Sequence, residues 1–156
     1  MSEIIAIVGQ TGTGKSTAVE TLNPKETVVI NIIGKALPFR GWKKNYIGGE
    51  GGNFLISADS AKIVQVMNYI SSHKPEIKQI IIDDFQYLMS SEFMNRSGEE
   101  GWNKFTDIAR HAWDVITAAR NLREDINVFF LTHDEIILEN FKPKRKIKTI
   151  GEPQLA

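Results

Sequence analysis

The chain has 156 residues, 42% hydrophobic and 24% charged, which suits one soluble globular domain with a sizeable core. Its 19 basic residues balance 19 acidic ones, so no global field draws it to nucleic acid or membrane, and any such attraction must come from local patches. The absence of cysteine excludes a disulfide scaffold, a cysteine-ligated zinc and a thiol nucleophile, and it suits a reducing cytosol.

The opening MSEIIAIVG has no basic n-region, and its apolar run is too short for a signal peptide. No later run reaches the roughly 18 apolar residues that a membrane span needs. A single cytoplasmic domain over residues 1–156 is therefore expected, with no membrane partner. Ile4 to Val8 reads as a short strand buried on both faces. A glycine-rich turn follows, then a helix from Lys15 to Leu22 that Asn23-Pro24 stops. Thr27 to Ile33 is a second buried strand.

Half of the 12 glycines fall between Gly34 and Asn53, among Arg40, Trp42, Lys43, Lys44 and Tyr46, so this stretch reads as a long flexible loop. Phe54 to Ser57 reads as a short edge strand. Asp59 or Ser60 caps a helix over 61–72, with Ile63, Val66, Met67 and Ile70 at helical spacing. Ile77 to Ile82 is a third strand that runs into Asp83-Asp84, and helical spacing returns from Phe85 to Met94. A long amphipathic helix carries Trp102, Phe105, Ile108, Ala109, Ala112, Val115, Ile116 and Ala119 on one face. Asn127 to Leu131 is a fourth strand ending at Thr132-His133. A basic tail covers about 142–156, with a short strand expected at Ile147 to Ile150.

Strands alternating with helices predict an α/β fold, three layers deep, around a mostly parallel sheet. Sites in such sheets form at the carboxyl ends of the strands. The loop after Val8, the pair Asp83-Asp84 and the pair Thr132-His133 all lie at such ends.

GQTGTGKS, from Gly9 to Ser16, fits G-x-x-x-x-G-K-[ST] at each fixed position and lies between a strand and a helix. Gly9, Gln10, Thr11, Gly12, Thr13 and Gly14 are expected to curl so that successive N–H groups surround phosphates. The start of the following helix adds its positive dipole end. Lys15 should reach the β- and γ-phosphates, Ser16 should take a magnesium position, and Thr17 should meet the α-phosphate. Asp83 is the candidate carboxylate for the metal's water shell. Asp84 either orients and deprotonates an attacking water or caps the next helix, and the two roles are compatible. Thr132 fits a γ-phosphate sensor, as in P-loop proteins that place an extra strand between the loop strand and the Asp strand. His133 is either a hydrogen-bonded strand-end residue or part of a switch. The expected ligands are ATP and Mg2+, and the lack of an N-K-x-D element favours ATP over GTP.

Two basic segments are candidates for polyanion contact. FRGWKKNY, with Arg40, Trp42, Lys43 and Lys44, mixes rings and cations as single-strand binders do. KPKRKIK is the densest cationic run, and its Lys146 and Lys148 are candidates to enter a neighbouring subunit's site. Each also reads as a solvated charged loop.

With these residues in view, the chain resembles the phage-encoded RecA-like P-loop ATPases, related to AAA-type nucleotide-binding proteins and including single-strand annealing recombinases. The resemblance rests on LPFRGWKKNY, IIIDDFQYLMSSEFM, WNKFTDIARHAWDVI, FFLTHDE and KIKTIG, beyond the phosphate loop itself. It implies a RecA-like core in which Gly9 to Thr17 bind the triphosphate, Asp83 and Asp84 form the Walker B element, and Thr132 is the sensor. It also implies oligomers with ATP near subunit contacts, single-stranded DNA as partner, and a host-cytosol setting.

Family members usually continue past the TIG element, so the chain is expected to be C-terminally shortened or a fragment. No glutamate stands at the end of the second strand, where RecA keeps its catalytic one, and Asp84 takes that role by default. Two other classes stay open, a nucleotide-dependent switch with little turnover and a small-molecule kinase. Against the kinase, Arg96, Arg110, Arg120 and Arg123 are spread along a helical pattern and are not gathered into a lid.

Overall fold

The computed structural model describes residues 1–10 and 12–147. Its main sheet has five strands, β1 (Glu3–Val8), β2 (Thr27–Asn31), β3 (Phe54–Ile56), β4 (Gln79–Asp83) and β5 (Asn127–Thr132). They lie in the order β1-β5-β4-β2-β3, and every pairing is parallel. Parallel neighbours need crossovers, and the helices α1 (Trp42–Asn45), α2 (Ser60–His73), α3 (Tyr87–Asn95) and α4 (Asn103–Arg120) lie in them. The fold is α/β, as the alternation of elements predicts. β5 is the extra strand between the loop strand β1 and the Asp strand β4.

Central position explains the continuous apolar runs. All five residues of β2 are buried, as are Ile80, Ile81 and Ile82 of β4. β1 differs from its expected reading. It is an edge strand, with Ala6 exposed and Val8 41% exposed, because only β5 pairs with it. An apolar run of five residues carries no mark of whether one neighbour or two will flank it.

One face of the sheet is covered by α2, α3 and α4. Asp59 caps α2, its carboxylate accepting from the amides of Ala61 and Lys62, and Ile63, Met67 and Ile70 turn inward at helical spacing. α4 contributes Ile108, Ala112, Val115 and Ala119. Trp102 and Ala109 fall outside that stripe. Trp102 precedes the helix and is 81% exposed, and Ala109 is also exposed. The other face is covered by Val19, Leu37 and Tyr46, with Phe39, Trp42 and Phe54 packed alongside.

Three further expectations are corrected. The helix after the phosphate loop is a short 3-10 helix, Ser16–Thr21. Only seven residues separate Lys15 from Asn23, several of them β-branched, too few for a cooperative α-helix. The stretch 34–53 is not free chain: α1 lies within it, Leu37 and Tyr46 are 3% exposed, and the Asn53 side chain ties Ile47, Pro24 and Asn45 together. The basic segment is half of a hairpin, since β6 (Asp134–Glu139) pairs antiparallel with β7 (Lys142–Ile147). The expected strand at 147–150 reaches beyond the described residues.

Candidate phosphate-binding site

Four chain segments meet at the carboxyl ends of β1, β4, β5 and β2. The loop after β1 is held by its first amide, because Gly9 N–H donates to the Thr132 carbonyl at 3.2 Å. Gly12 and Gly14 sit at φ 84° and 88°, left-handed backbone that glycine adopts without strain. No atom crowds either one, so conformation and not space calls for glycine there. Gly9 is the opposite case, since a Cβ there would meet Thr13 Oγ1 at 2.8 Å.

The Thr13 hydroxyl donates to the Gln10 carbonyl at 2.7 Å. Lys15 Nζ donates to the carbonyls of Gly9 and Gln10 at 2.6 and 2.8 Å and approaches Thr13 Oγ1 at 3.4 Å. The lysine thus closes the loop on itself. Burial lowers the Lys15 ammonium below its ordinary value, while the charges of Asp84, Asp134 and Asp83, in that order, oppose the shift. Lys35 pushes the same way as burial. Thr17 is exposed, and Thr11 lies outside the described residues.

Across the loop, the Ser16 hydroxyl donates to the Asp83 carboxylate, with Oδ1 at 2.9 Å and Oδ2 at 3.0 Å. Asp83 ends β4 in register with Asn31 and is 3% exposed. Burial raises its carboxyl above the ordinary range, the Asp84 charge adds to this, and the Ser16 hydrogen bond opposes it. A hydroxyl and a carboxylate brought together this way form an all-oxygen donor set, which fits Mg2+ held by one or two protein groups plus phosphate. Among the described residues no cluster of three or more His, Asp or Glu could hold a metal alone.

Asp84 does not cap α3. That helix begins from Gln86 with no side-chain cap, and Asp84 itself has φ 58°. A non-glycine residue in that region is strained, and the strain is held here by the Phe85 amide bonding to the Leu131 carbonyl and the Tyr87 amide to the Asp84 carbonyl. The turn leaves the Asp84 carboxylate 3.6 Å from His133 Nε2, with Tyr87 edge-on to the His133 ring. Thr132 is 4% exposed, and its hydroxyl has no hydrogen-bond partner among the described residues.

Several residues here carry no motif signature. Gln86 is 5% exposed; its Oε1 accepts from the His133 amide at 3.2 Å, and its Nε2 has no partner among the described residues. Asn31, the last residue of β2, is fully buried and engages the backbone of Gly34 and Lys35. That turn keeps Lys35 near the site. The strand end before Gly34 was the available signal for it.

The expected polyanion residues lie elsewhere. Arg40, Lys43 and Lys44 are exposed. Trp42 is half-buried, its ring 5.1 Å from Phe54, with Lys43 Nζ 5.8 Å above it. Lys146 lies in β7, and Lys148 lies outside the described residues. No helix among the described residues is long and apolar enough to cross a membrane.

No family model matches the chain, and no curated protein does. Among solved structures it is similar to the pCW3 conjugation coupling protein TcpA, monomer form with ATPγS, at 13% identity and a TM-score of 0.46. That similarity covers 83% of this chain, which spans 42% of the length of the coupling protein.

Proposed function

We propose that the chain binds ATP with magnesium at Gly9 to Thr17 and hydrolyses it, as a RecA-like ATPase working with single-stranded DNA. The observation that carries the reading is the contact of Ser16 with Asp83. It pairs the hydroxyl of the phosphate loop with the strand-end carboxylate that metal-dependent phosphoryl transfer requires. ATP supplies the phosphoric anhydride, and bound magnesium supplies charge neutralisation on its oxygens. The loop amides cradle the phosphates, and Lys15 leaves the carbonyls of Gly9 and Gln10 to bind the β- and γ-oxygens. Asp84 holds the attacking water and takes its proton, its backbone strain fixing where the carboxylate stands. Thr132 offers to the terminal phosphate its hydroxyl, which has no hydrogen-bond partner among the described residues.

Single-stranded DNA is assigned to Arg40, Lys43 and Lys44, with Trp42 as their apolar footing, because these cations are exposed on one anchored segment. Lys146 and Lys148 of one copy are assigned to a second copy's site in an oligomer, and the setting is the host cytosol. The test is phosphate release in magnesium and in EDTA, from ATP alone, with single-stranded DNA, and with small phosphate acceptors. Magnesium-dependent release raised by DNA, and lost in Lys15→Ala together with nucleotide binding, is the expected result. Near-normal ATP affinity in Lys15→Ala would overturn the site, acceptor phosphorylation would make it a kinase, and tight binding without release would make it a switch.

A further inference from the structure

β5 passes into β6 through His133 alone, so Asp134 stands two residues beyond the carbonyl that anchors Gly9. The β1–β5 register ends at Val8↔Thr132, and Gly9 still bonds to Thr132, so the phosphate loop and the turn into Asp134 leave the sheet from neighbouring strand ends. The Asp134 side chain is 3% exposed. Oδ2 accepts from Arg145 Nε at 3.1 Å, while Oδ1 has no hydrogen-bond partner among the described residues. Arg145 comes from β7, opposite Ile136, so it shares a hairpin face with Asp134. Lys146, opposite Glu135, belongs to the other face.

The pairing is lopsided. The carboxylate is buried, whereas the guanidinium side chain is 70% exposed. Burying a carboxylate is costly, and a partner held mostly in solvent, where its charge is screened, offsets only part of that cost. Stability therefore does not account for the arrangement. What it does achieve is to fix a planar, bidentate-capable cation beside the carboxyl end of β5, the strand end whose Thr132 carbonyl anchors Gly9. The negative field of Asp134 also reaches Lys15, which agrees with its place beside the loop.

Resting on the ATP reading above, we propose that Asp134 is a positioning residue that holds Arg145 over the phosphate loop in the same chain, where Arg145 binds the terminal phosphate and distinguishes ATP from ADP. The contribution is made in cis, and it is separate from the assignment of Lys146 to a neighbouring copy.

The test is titration calorimetry of the full chain with magnesium–ATPγS and with magnesium–ADP. Arg145→Ala should weaken ATPγS about tenfold or more, the loss expected for one charge-assisted hydrogen bond, and leave ADP within about twofold. Asp134→Asn, nearly isosteric, should shift the ratio of the two affinities the same way. The double variant should be no worse than Arg145→Ala, because the carboxylate acts only through the arginine. Arg145→Lys should restore part of the preference.

An unchanged ATPγS-to-ADP ratio in Arg145→Ala, with Lys15→Ala abolishing both ligands, would overturn this inference and leave the ATP site standing. Recovery of ATP turnover on mixing Arg145→Ala with Lys15→Ala would also overturn it, since that requires the arginine to act between chains. Binding of neither nucleotide by the unaltered chain would overturn the site and the inference together.

Discussion

Replacing Asp83 by asparagine should make the nucleotide-free protein more stable and the nucleotide-bound protein less so. The Asp83 carboxylate is 3% exposed, one Ser16 hydroxyl serves both of its oxygens, and Asp84 adds a like charge next door. Asparagine keeps an oxygen for Ser16 and removes the buried charge. Relief of such a group gives about 1–2 kcal/mol, or about 2–4 °C of melting temperature per kcal/mol for a domain of this size.

The sign with pH follows from the raised carboxyl. The unfolded chain loses this proton near its ordinary 3.8, the folded chain only at a higher pH, so between the two values the folded state holds more protons. Wild-type stability therefore falls as pH rises through that window, and Asp83→Asn lacks the slope. The gap between the proteins should open upward from about pH 4, where the ordinary carboxyl titrates, and close in more acid solution.

Magnesium–ATPγS should reverse the order. Ligand at about 100 times its Kd adds about 2.7 kcal/mol to the wild type, and little to a variant that has lost its metal carboxylate. Thermal unfolding followed by circular dichroism, in EDTA and in magnesium–ATPγS, reads both halves. A variant less stable than wild type in EDTA would show that Asp83 is a structural acceptor. A variant with the full nucleotide-induced shift would remove Asp83 from the metal.

Asp84→Asn should leave ATPγS affinity within about twofold and slow turnover by about 10²–10⁴, the usual share of a general base; unchanged phosphate release would reduce Asp84 to its role in the turn. Thr132→Val deletes a buried hydroxyl that has no partner among the described residues. The nucleotide-free protein should lose no stability and gain up to about 1 kcal/mol, while ATP turnover falls; a fall in stability of that size would place the hydroxyl in a structural bond. Replacing Lys43 and Lys44 together by alanine should lower the salt slope of single-strand binding by about 1.4, at about 0.7 per phosphate contact. An unchanged slope would take that segment off the DNA surface.

The parts of the site legible in the sequence are those whose chemistry is contiguous. Gly9 to Ser16 dictates its own geometry, because the left-handed turns at Gly12 and Gly14 and the reach of Lys15 are set within a few bonds. Asp83 was legible because an all-buried strand has to release its first polar residues at its end. The inward stripe of α2 follows from helical period, while the choice of Asp59 over Ser60 as its cap appears only in the structure, where the Asp59 carboxylate meets the amides of Ala61 and Lys62.

Other features depend on partners distant in sequence. An apolar run does not say whether one neighbour or two will flank it, so the edge position of β1 appears only in the strand order. Trp42 reads as a free stacking ring until Phe54 arrives to cover it. The β6–β7 hairpin was hidden by its turn, where Asn140 and Phe141 take φ 52° and 59° and a bulky phenylalanine stands where glycine would have announced the bend. Pro143 in β7 further disguised the strand, although a two-stranded exposed hairpin tolerates it.

The sequence by itself determined that a glycine-rich loop of phosphate-binding pattern and a strand-end carboxylate exist, since both are written in consecutive residues. Only the tertiary structure decided what stands around them, because Asn31, Gln86 and the Asp134–Arg145 pair are placed by sheet order and hairpin register, which are set by contacts across the whole chain.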